Sequence, residues 1–153
     1  MSEEVLVLET TKGPVTIAFL PEVAPGHVAR IKELVSQGFY DGVPFHRVID
    51  GFMAQTGDPT GTGMGGSELP DIPAEFTKTH FGRGTVGMAR AQDPNSANSQ
   101  FFIMFADGSF LDGQYTVWGE VTDGMDVVDK INRGEPPANP DKIVKARLAS
   151  DPN

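Results

Sequence analysis

Glycine and proline interrupt this sequence at short intervals along its whole length. The 153 residues include 18 glycines and 12 prolines. Glycine readily adopts left-handed turn conformations and proline has no amide N–H to donate, so both tend to end regular elements. Such frequent interruption predicts many short elements joined by turns rather than a few long helices.

Eight of the apolar runs between these residues have the features of strands. Residues 15–19 alternate apolar and polar side chains, which is typical of a half-buried strand. Asp50 and Gly51 separate two further runs, and Asp-Gly is a strong hairpin signal because both turn positions must tolerate positive φ. The predicted strands cover residues 5–10, 15–19, 45–49, 52–56, 84–89, 101–105, 115–121 and 143–148.

Two segments have helical spacing instead. The first begins near Pro25, which suits the first turn of a helix, and ends near Gly38, which suits a left-handed stop. Its predicted buried face consists of Val28, Ile31, Leu34 and Val35. A second, shorter helix is predicted at 125–132, with Val128 and Ile131 on its buried side.

The order of these elements favours one architecture. Strands do not alternate with helices, which argues against a doubly wound parallel sheet. A closed antiparallel barrel removes the exposed edges of many short strands, and eight strands leave an interior that side chains can fill. We therefore predict a mainly β fold, a closed eight-stranded antiparallel barrel capped by two helices, as a single domain over residues 1–153. A functional site would then lie on the outside.

Charge and composition exclude several classes of function. The net charge of −9 argues against nucleic acid and against an anionic membrane surface, since both attract clustered lysine and arginine. The absence of cysteine removes disulfides and thiol nucleophiles. The amino end lacks a basic segment followed by an apolar run, and no run approaches the ~20 apolar residues of a membrane span. These features predict a cytoplasmic protein, with monomer as the default.

Two motifs that could indicate a cofactor do not fit one. Residues 61–66 read GTGMGG, but a dinucleotide site needs a helix directly after such a loop, and Ser-Glu-Leu-Pro follows here. A mobile or substrate-lining loop fits this composition better. The histidines, His27, His46 and His80, have no spacing that would let a pair share a metal ion. We therefore predict no metal and no cofactor.

One arginine lies among apolar residues. Alternation over 45–49 would place Phe45, Arg47 and Ile49 on one face of a strand. A hairpin turn at Asp50 would then bring Arg47 near Met53 or Gln55. Taken alone, an arginine on a strand is most often a solvated charge or a surface ion pair.

The residues around this arginine carry a resemblance to a known family. The segment FHRVIDGFMAQTGD at 45–58 closely resembles the signature of the cyclophilins, which are peptidyl-prolyl isomerases. Four further blocks occur in family order, GMARA at 87–91, NSQFFI at 98–103, LDG at 111–113 and VWGEV at 117–121. The family fold, an eight-stranded antiparallel barrel with two helices, agrees with the elements counted above. The resemblance implies a cofactor-free enzyme that rotates Xaa-Pro bonds in proline-containing peptides and in unfolded protein chains, and so assists folding.

The resemblance also implies roles for individual residues. Arg47 would be catalytic by holding the prolyl carbonyl and reaching the prolyl nitrogen, and Gln55 would orient Arg47 and hydrogen-bond the substrate. The implied substrate-binding residues are Phe52, Met53, Phe102, Phe110, Leu111 and Tyr115 around the proline, and Ala89, Arg90, Ala91 and Gln100 along the peptide backbone. Without the resemblance, the apolar members of this set would be interpreted as ordinary barrel core.

This sequence departs from the family pattern at three positions. Tyr115 stands where many members have histidine, and tyrosine can still close the pocket. Phe110 replaces the tryptophan of cyclosporin-sensitive members, whose indole N–H donates to the drug, so we expect weak cyclosporin binding. Arg90 replaces a common asparagine, and its charge favours acidic peptides, a hypothesis that a panel of peptides varied before proline would test.

Two other functions are compatible with such a fold. A binding module could hold proline-containing segments without isomerising them, but it would not need to retain Arg47 and Gln55. A carrier of small ligands would need an open barrel interior, and the apolar residues here are numerous enough to fill one. The isomerase is therefore the favoured prediction.

Overall fold

The computed structural model describes residues 4–63, 65–93 and 95–150. This part of the chain contains eight strands, two α-helices and one 3-10 turn. In chain order they are β1 Glu4–Thr10, β2 Gly13–Phe19, α1 Pro25–Ser36, β3 Arg47–Ile49, β4 Met53–Thr56, β5 Thr85–Met88, β6 Phe101–Met104, the 3-10 turn Ser109–Leu111, β7 Thr116–Asp123, α2 Met125–Val128 and β8 Ile143–Ser150. The predicted mainly β fold with two helices is confirmed, and most strand ends shift by one or two residues.

All eight strands belong to one antiparallel sheet in the order β3-β4-β6-β5-β7-β2-β1-β8. The sheet curls, but its end strands β3 and β8 are not joined by a ladder among the described residues, so the prediction of full closure is wrong in this detail. An isolated bridge between Pro44 and Lys142 and a 2.6 Å hydrogen bond from Gly42 N to Ile143 O span the gap instead. Two further bonds flank this bridge, from Ile143 N to Val43 O and from Phe45 N to Asp141 O, both at 2.8 Å, so the chain just before β3 pairs with the start of β8 although β3 itself does not.

The strands separate two apolar clusters. Along β2, Val15, Ile17 and Phe19 are buried in the main core while the residues between them are partly exposed, which confirms the predicted alternation. All four residues of β6 are buried because both faces of this strand are covered. Its Phe101 and Ile103 belong to the main core, and Phe102 and Met104 belong to a second cluster on the opposite face. This second cluster places an apolar surface outside the barrel.

Helix α1 has the predicted ends. Pro25 occupies its first turn, and Gly38 adopts a φ of +73° just beyond its last residue. The predicted apolar face, Val28, Ile31, Leu34 and Val35, is buried in the main core.

The N-terminus of α1 is capped from a distant part of the chain. Ala24 has no side-chain oxygen that could cap the helix. The carboxylate of Glu75 takes this role, accepting from Gly26 N at 3.2 Å and His27 N at 2.8 Å. A carboxylate at this end also interacts favourably with the helix dipole. Glu75 thereby fixes the loop before β5 against the barrel.

Helix α2 is shorter than the predicted 125–132. After Val128 the chain continues with tighter i+3 bonds, from Lys130 N to Val127 O at 3.0 Å and from Ile131 N to Val128 O at 3.1 Å. Val128 and Ile131 are nevertheless buried, as predicted, because a 3-10 continuation keeps both facing the core. No helix in the described ranges is long and apolar enough to cross a membrane.

Candidate active site

The β3–β4 hairpin places an arginine and a glutamine opposite each other. Gly51 in the turn has a φ of +74°, the conformation that its sequence predicts. Arg47 pairs with Gln55 across the two strands, and Arg47 Nη1 lies 3.5 Å from Gln55 Oε1. Of the two predicted neighbours of Arg47, Met53 and Gln55, the structure places Gln55 opposite it, and Met53 pairs with Ile49. Phe45 does not share the face of Arg47, because β3 begins only at Arg47 and Phe45 is fully buried in the main core.

A pocket of about 110 Å³, lined mainly by apolar side chains, opens beside Arg47 on the outer face of the sheet. A dry cavity of ~150 Å³ can hold benzene, so this pocket suits a single small ring. Its lining consists of Arg47, Phe52, Met53, Gln55, Ala89, Arg90, Phe102, Leu111 and Tyr115. The structure thus brings together nine of the twelve residues implied by the resemblance.

The pocket wall is held by aromatic packing. Phe102 stacks on Phe81 with ring centroids 5.8 Å apart and meets Tyr115 edge-on at 5.8 Å. Gly87 makes this possible, since a Cβ there would lie 2.6 Å from Phe81 and 3.0 Å from Phe102. Met53 and Phe102 are almost fully buried, as core residues are, but they belong to the second cluster. Burial alone therefore could not distinguish the pocket from the core.

Arg90 connects two loops that flank the pocket. Its guanidinium lies over the Tyr115 ring, 4.6 Å from the centroid. Its N–H groups donate to the carbonyl oxygens of Gln114, Ala91 and Gln92 at 2.9 to 3.2 Å. These bonds occupy four of its five N–H donors, so a peptide would encounter mainly the positive charge of Arg90.

A second, larger cavity of about 380 Å³ adjoins the pocket and shares Gln55, Ala89 and Arg90 with it. Two more of the predicted residues, Ala91 and Gln100, line this cavity. The remaining lining residues, which sequence reasoning did not single out, are Gly63, Gly65, Gly66, Ser67, Asp71, Ser96, Asn98 and Ser99. The predicted substrate-binding set is therefore divided between two adjoining cavities.

Phe110 lies outside both cavities. Its side chain is exposed, with a relative accessibility of 69%, and its ring lies 5.5 Å from that of Phe52. It forms the rim of the pocket rather than its lining.

The GTGMGG stretch belongs to an irregular loop. No helix follows it directly, because β5 is the next regular element after β4, and Met64 lies outside the described residues. Gly63 and Gly65 line the larger cavity, in line with the predicted substrate-lining position. In the described ranges, no group of three or more His, Cys, Asp or Glu side chains could hold a metal ion.

A chain of hydrogen bonds leads from Arg47 into this loop. Gln55 Nε2 donates to Gln100 Oε1 at 2.9 Å, and Gln100 Nε2 donates to Gly63 O at 3.0 Å and Gly65 O at 2.9 Å. On its other side, Arg47 Nε donates to Glu135 Oε1 at 3.3 Å in an exposed ion pair. Sequence reasoning missed Glu135, which is 88 residues away along the chain and has no local signal.

Asp58 organises the loop at the far end of this chain. Its carboxylate is fully buried and accepts bonds from the amide N–H groups of Thr60, Gly63 and Gly65. Burial alone would raise the pKa of Asp58, but hydrogen bonds from Thr60, Gly65 and Gly63 outweigh it and hold that pKa well below its usual range. Asp58 is therefore charged at neutral pH. An aspartate two residues before a threonine and followed by glycines is the sequence signal that could have indicated this turn.

His80 holds the loop that carries the pocket rim. Its Nδ1 lies 2.7 Å from Asp112 Oδ2, and its Nε2 is hydrogen-bonded to Asp107. Asp112 Oδ1 also accepts the Phe81 N–H at 2.7 Å. The two aspartates flank the 3-10 turn with Phe110, so His80 ties that turn to the segment before β5. The hydrogen bonds to Asp112 and Asp107 raise the pKa of His80.

This arrangement predicts a pH-dependent contribution to stability. Because the pKa of His80 is raised in the folded state, its stabilising effect should be complete below the ordinary value near 6.5 and should be lost as pH rises through the folded value. We expect the Tm difference between wild type and His80→Gln to be positive at about pH 5 and to shrink by about pH 9. A Tm difference that stays constant over this range would contradict the prediction. Both proteins contain His27 and His46, whose pKa values burial lowers, so the contributions of these two residues cancel in the Tm difference.

Comparisons with known proteins agree with this geometry. The family model described as cyclophilin type peptidyl-prolyl cis-trans isomerase/CLD matches residues 5–148. A probable peptidyl-prolyl cis-trans isomerase of Brucella abortus is 55% identical over 97% of this chain and 84% of the relative. A peptidyl-prolyl cis-trans isomerase-like 1 of Rhizopus delemar is 42% identical over 91% of this chain and 87% of the relative.

Solved structures give the same result. A cyclophilin of Hirschia baltica superimposes with a TM-score of 0.87 at 34% identity, covering 94% of this chain and 73% of that one. A cyclophilin-type isomerase of Cryptosporidium parvum, determined in the presence of the dipeptide Ala-Pro, gives a TM-score of 0.89 at 27% identity, covering 96% of this chain and 99% of that one. The chain belongs to the cyclophilin-type peptidyl-prolyl cis-trans isomerases.

Proposed function

We propose that this isomerase rotates Xaa-Pro bonds by stabilising the twisted amide with Arg47 while the apolar pocket holds the proline ring. The observation that carries the proposal is the position of the Arg47 guanidinium at the pocket lined by Met53, Phe102 and Leu111. Rotation breaks no bond, and its barrier of ~18–20 kcal/mol comes from lost amide resonance. An enzyme therefore needs to bind the twisted amide more strongly than either planar form.

A guanidinium suits this requirement. Twisting localises a lone pair on the prolyl nitrogen, and a fixed N–H donor interacts more strongly with that lone pair than with the planar amide. Arginine has five N–H donors and remains protonated. Gln55 and Glu135 use two donors of Arg47 within the described part of the chain, so three can bind substrate. Gln55, by accepting from Arg47 and donating to Gln100, would hold the guanidinium in place.

The substrates we propose are proline-containing segments of unfolded protein chains, bound along Ala89, Arg90, Ala91 and Gln100. The Cryptosporidium parvum relative was determined with Ala-Pro present, which supports a proline-containing peptide as the ligand class. Uncatalysed rotation takes tens to hundreds of seconds and can limit folding, so catalysis would speed the folding of such chains.

The test compares wild type and Arg47→Ala in two assays, cis-to-trans isomerisation of a short Xaa-Pro peptide and refolding of a protein limited by proline isomerisation. We expect activity in both for wild type and its loss in both for the variant. A variant that turns over the peptide normally would reject Arg47 as the catalyst. Wild-type activity on the peptide but not in refolding would reject the folding role, and binding without turnover would favour a pure binding module.

Phe110 leads to a prediction about drug binding. Its exposed ring can offer cyclosporin apolar contact but no hydrogen-bond donor. We expect weak inhibition of wild type, and we expect Phe110→Trp to strengthen it by roughly 3–10-fold, since one hydrogen bond contributes about 0.5–1.5 kcal/mol net. Inhibition constants from the peptide assay measure this, with Phe110→Leu as the control that also lacks a donor. Tight inhibition of wild type would contradict the prediction.

A further inference from the structure

We propose that Asp58 is a positioning residue for Arg47, acting through a one-directional chain of hydrogen bonds that passes through the loop glycines, Gln100 and Gln55. The inference rests on the proposed role of Arg47 in isomerisation. The Asp58 carboxylate is buried and lies outside both cavities, and in this role it does more than hold its own loop.

The first step is the loop itself. Asp58 is fully buried, and its two oxygens accept from Thr60 N at 2.8 Å, the Thr60 hydroxyl at 2.7 Å, Gly63 N at 2.6 Å and Gly65 N at 3.0 Å. Charge-assisted bonds of this kind are roughly twice as strong as neutral ones. Because the N–H groups of Gly63 and Gly65 point at the carboxylate, the peptide units that precede these two residues are held in place, and the carbonyl groups that follow are constrained by their shared Cα atoms.

The second step is the orientation of Gln100. The carbonyl oxygens of Gly63 and Gly65 both lie within 3.0 Å of Gln100 Nε2. A carbonyl only accepts, so these two oxygens require the NH₂ end of the Gln100 amide to face the loop. The amide oxygen of Gln100 then faces Gln55.

The third step carries this orientation to Arg47. Gln100 Oε1 accepts from Gln55 Nε2 at 2.9 Å, which turns the amide oxygen of Gln55 towards Arg47 Nη1. The opposite orientation of Gln55 would place an NH₂ group against a guanidinium, two donors with no acceptor between them. The Arg47–Gln55 contact, at 3.5 Å, is the longest in the chain, so small displacements of Gln55 decide whether it forms.

Every bond in this chain donates towards Asp58. Hydrogen bonds aligned in one direction polarise one another, here from Arg47 through the Gln55 and Gln100 amides to the loop carbonyls. His46 is the titratable side chain next to Asp58. Burial lowers the pKa of His46, so its ring is neutral and does not form an ion pair with the Asp58 carboxylate, which remains the acceptor for the loop amides. Loss of that charge would release the loop carbonyls, the Gln100 amide and then the Gln55 acceptor.

The experiment is a double-mutant cycle in the full chain. Asp58→Asn keeps the size of the side chain, but removes the charge and replaces one acceptor oxygen by a donor. We expect this variant to lower kcat by about tenfold, since misplacing a catalytic group by ~1 Å can cost ~100-fold, and to raise KM by a smaller factor because Gln100 along the proposed peptide site is also released. We expect no further loss when Asp58→Asn is added to Arg47→Ala, because the positioned group is then absent.

A matched control is Asp141→Asn. Asp141 is also buried, and its carboxylate accepts from Asn132 N at 2.8 Å and the Thr11 hydroxyl at 2.7 Å, but none of its bonds reaches Arg47, Gln55 or Gln100. We expect it to lower Tm with kcat unchanged.

The outcomes separate the two proposals. If Arg47→Ala retains normal activity, the proposed function fails. If Arg47→Ala is impaired but Asp58→Asn keeps wild-type kcat, the positioning role fails. If Asp58→Asn lowers activity equally in the wild-type and Arg47→Ala backgrounds, Asp58 acts only through the shape of the loop, and the proposal is again overturned.

A measurement on the wild-type protein tests the chain even if Asp58→Asn does not fold. Side-chain amide hydrogen exchange by NMR should be about tenfold slower for Gln55 and Gln100 than for Gln37, which is exposed. Equal exchange rates for the three glutamines would overturn the proposal.

Discussion

Arg47→Ala is expected to lower kcat/KM for a short Xaa-Pro peptide by ~10²–10³ while leaving the fold intact. The magnitude is the typical cost of removing one preorganised donor to a transition state. The side chain of Arg47 is half-exposed and stands outside both apolar clusters, so its removal leaves no internal cavity. Because the pocket proposed to bind the proline ring remains, most of the loss should appear in kcat. Peptide isomerisation followed at several substrate concentrations measures both constants.

Two control variants show whether the loss of activity is specific to the guanidinium of Arg47. Arg47→Lys keeps the charge but not the planar fork, so activity between wild type and Arg47→Ala is expected. Arg133→Ala removes another exposed arginine beside the same hairpin, where it pairs with Asp50 at 3.1 Å, and should leave kcat/KM unchanged. If Arg47→Ala were no worse than Arg133→Ala, Arg47 would have to be regarded as a surface charge.

Trp118→Ala is expected to lower the free energy of unfolding by ~3–5 kcal/mol, the usual cost of removing a buried large aromatic side chain. Trp118 is fully buried in the main core, where its ring lies 5.4 Å from Phe101 and 5.8 Å from Phe19. The loss is a large part of the ~5–15 kcal/mol that stabilises a typical domain. Since Trp118 is the only tryptophan, denaturant unfolding should be followed by circular dichroism rather than fluorescence.

Trp118→Phe separates cavity formation from lost hydrogen bonding. The indole N–H of Trp118 has no partner among the described residues, so phenylalanine gives up no hydrogen bond there. The smaller ring leaves only part of the cavity, and we expect a cost well below that of Trp118→Ala. Equal costs for the two variants would show that the N–H, rather than packing, is what matters at this position.

Local patterns predicted most elements of the fold correctly. The alternation of β2 and the helical spacing of α1 match their observed burial because one face of each element contacts the core. The errors occur where tertiary contacts override local pattern. Phe45 turns into the core before β3 begins, and only the segment before β3, through the bridge at Pro44, reaches the start of β8, so the two end strands are not joined along their length.

The candidate site was only partly predictable from local sequence patterns. The pairing of Arg47 with Gln55 follows from the length of one hairpin, a purely local property. The pocket beside them draws on β4, β6, the segment after β5 and the loop before β7, and its buried apolar members resemble core residues. Only the resemblance to a family identified them in advance, since periodicity cannot tell which buried face is covered by protein and which is open to a ligand.

Three sequence features, the spacing of glycine and proline, the alternation and the hairpin signals, determined by themselves that this chain forms many short antiparallel strands around a filled interior. They also placed Arg47 near Met53 or Gln55. Only the tertiary structure decided that β6 divides two apolar clusters, that Glu135 meets Arg47, and that Asp58 connects to Gln55 through Gly63, Gly65 and Gln100. The physical reason is the distance along the sequence over which each kind of interaction acts. Backbone periodicity acts over a few residues, whereas pockets and hydrogen-bond chains depend on side chains that lie far apart in sequence and meet only when the sheet has curled.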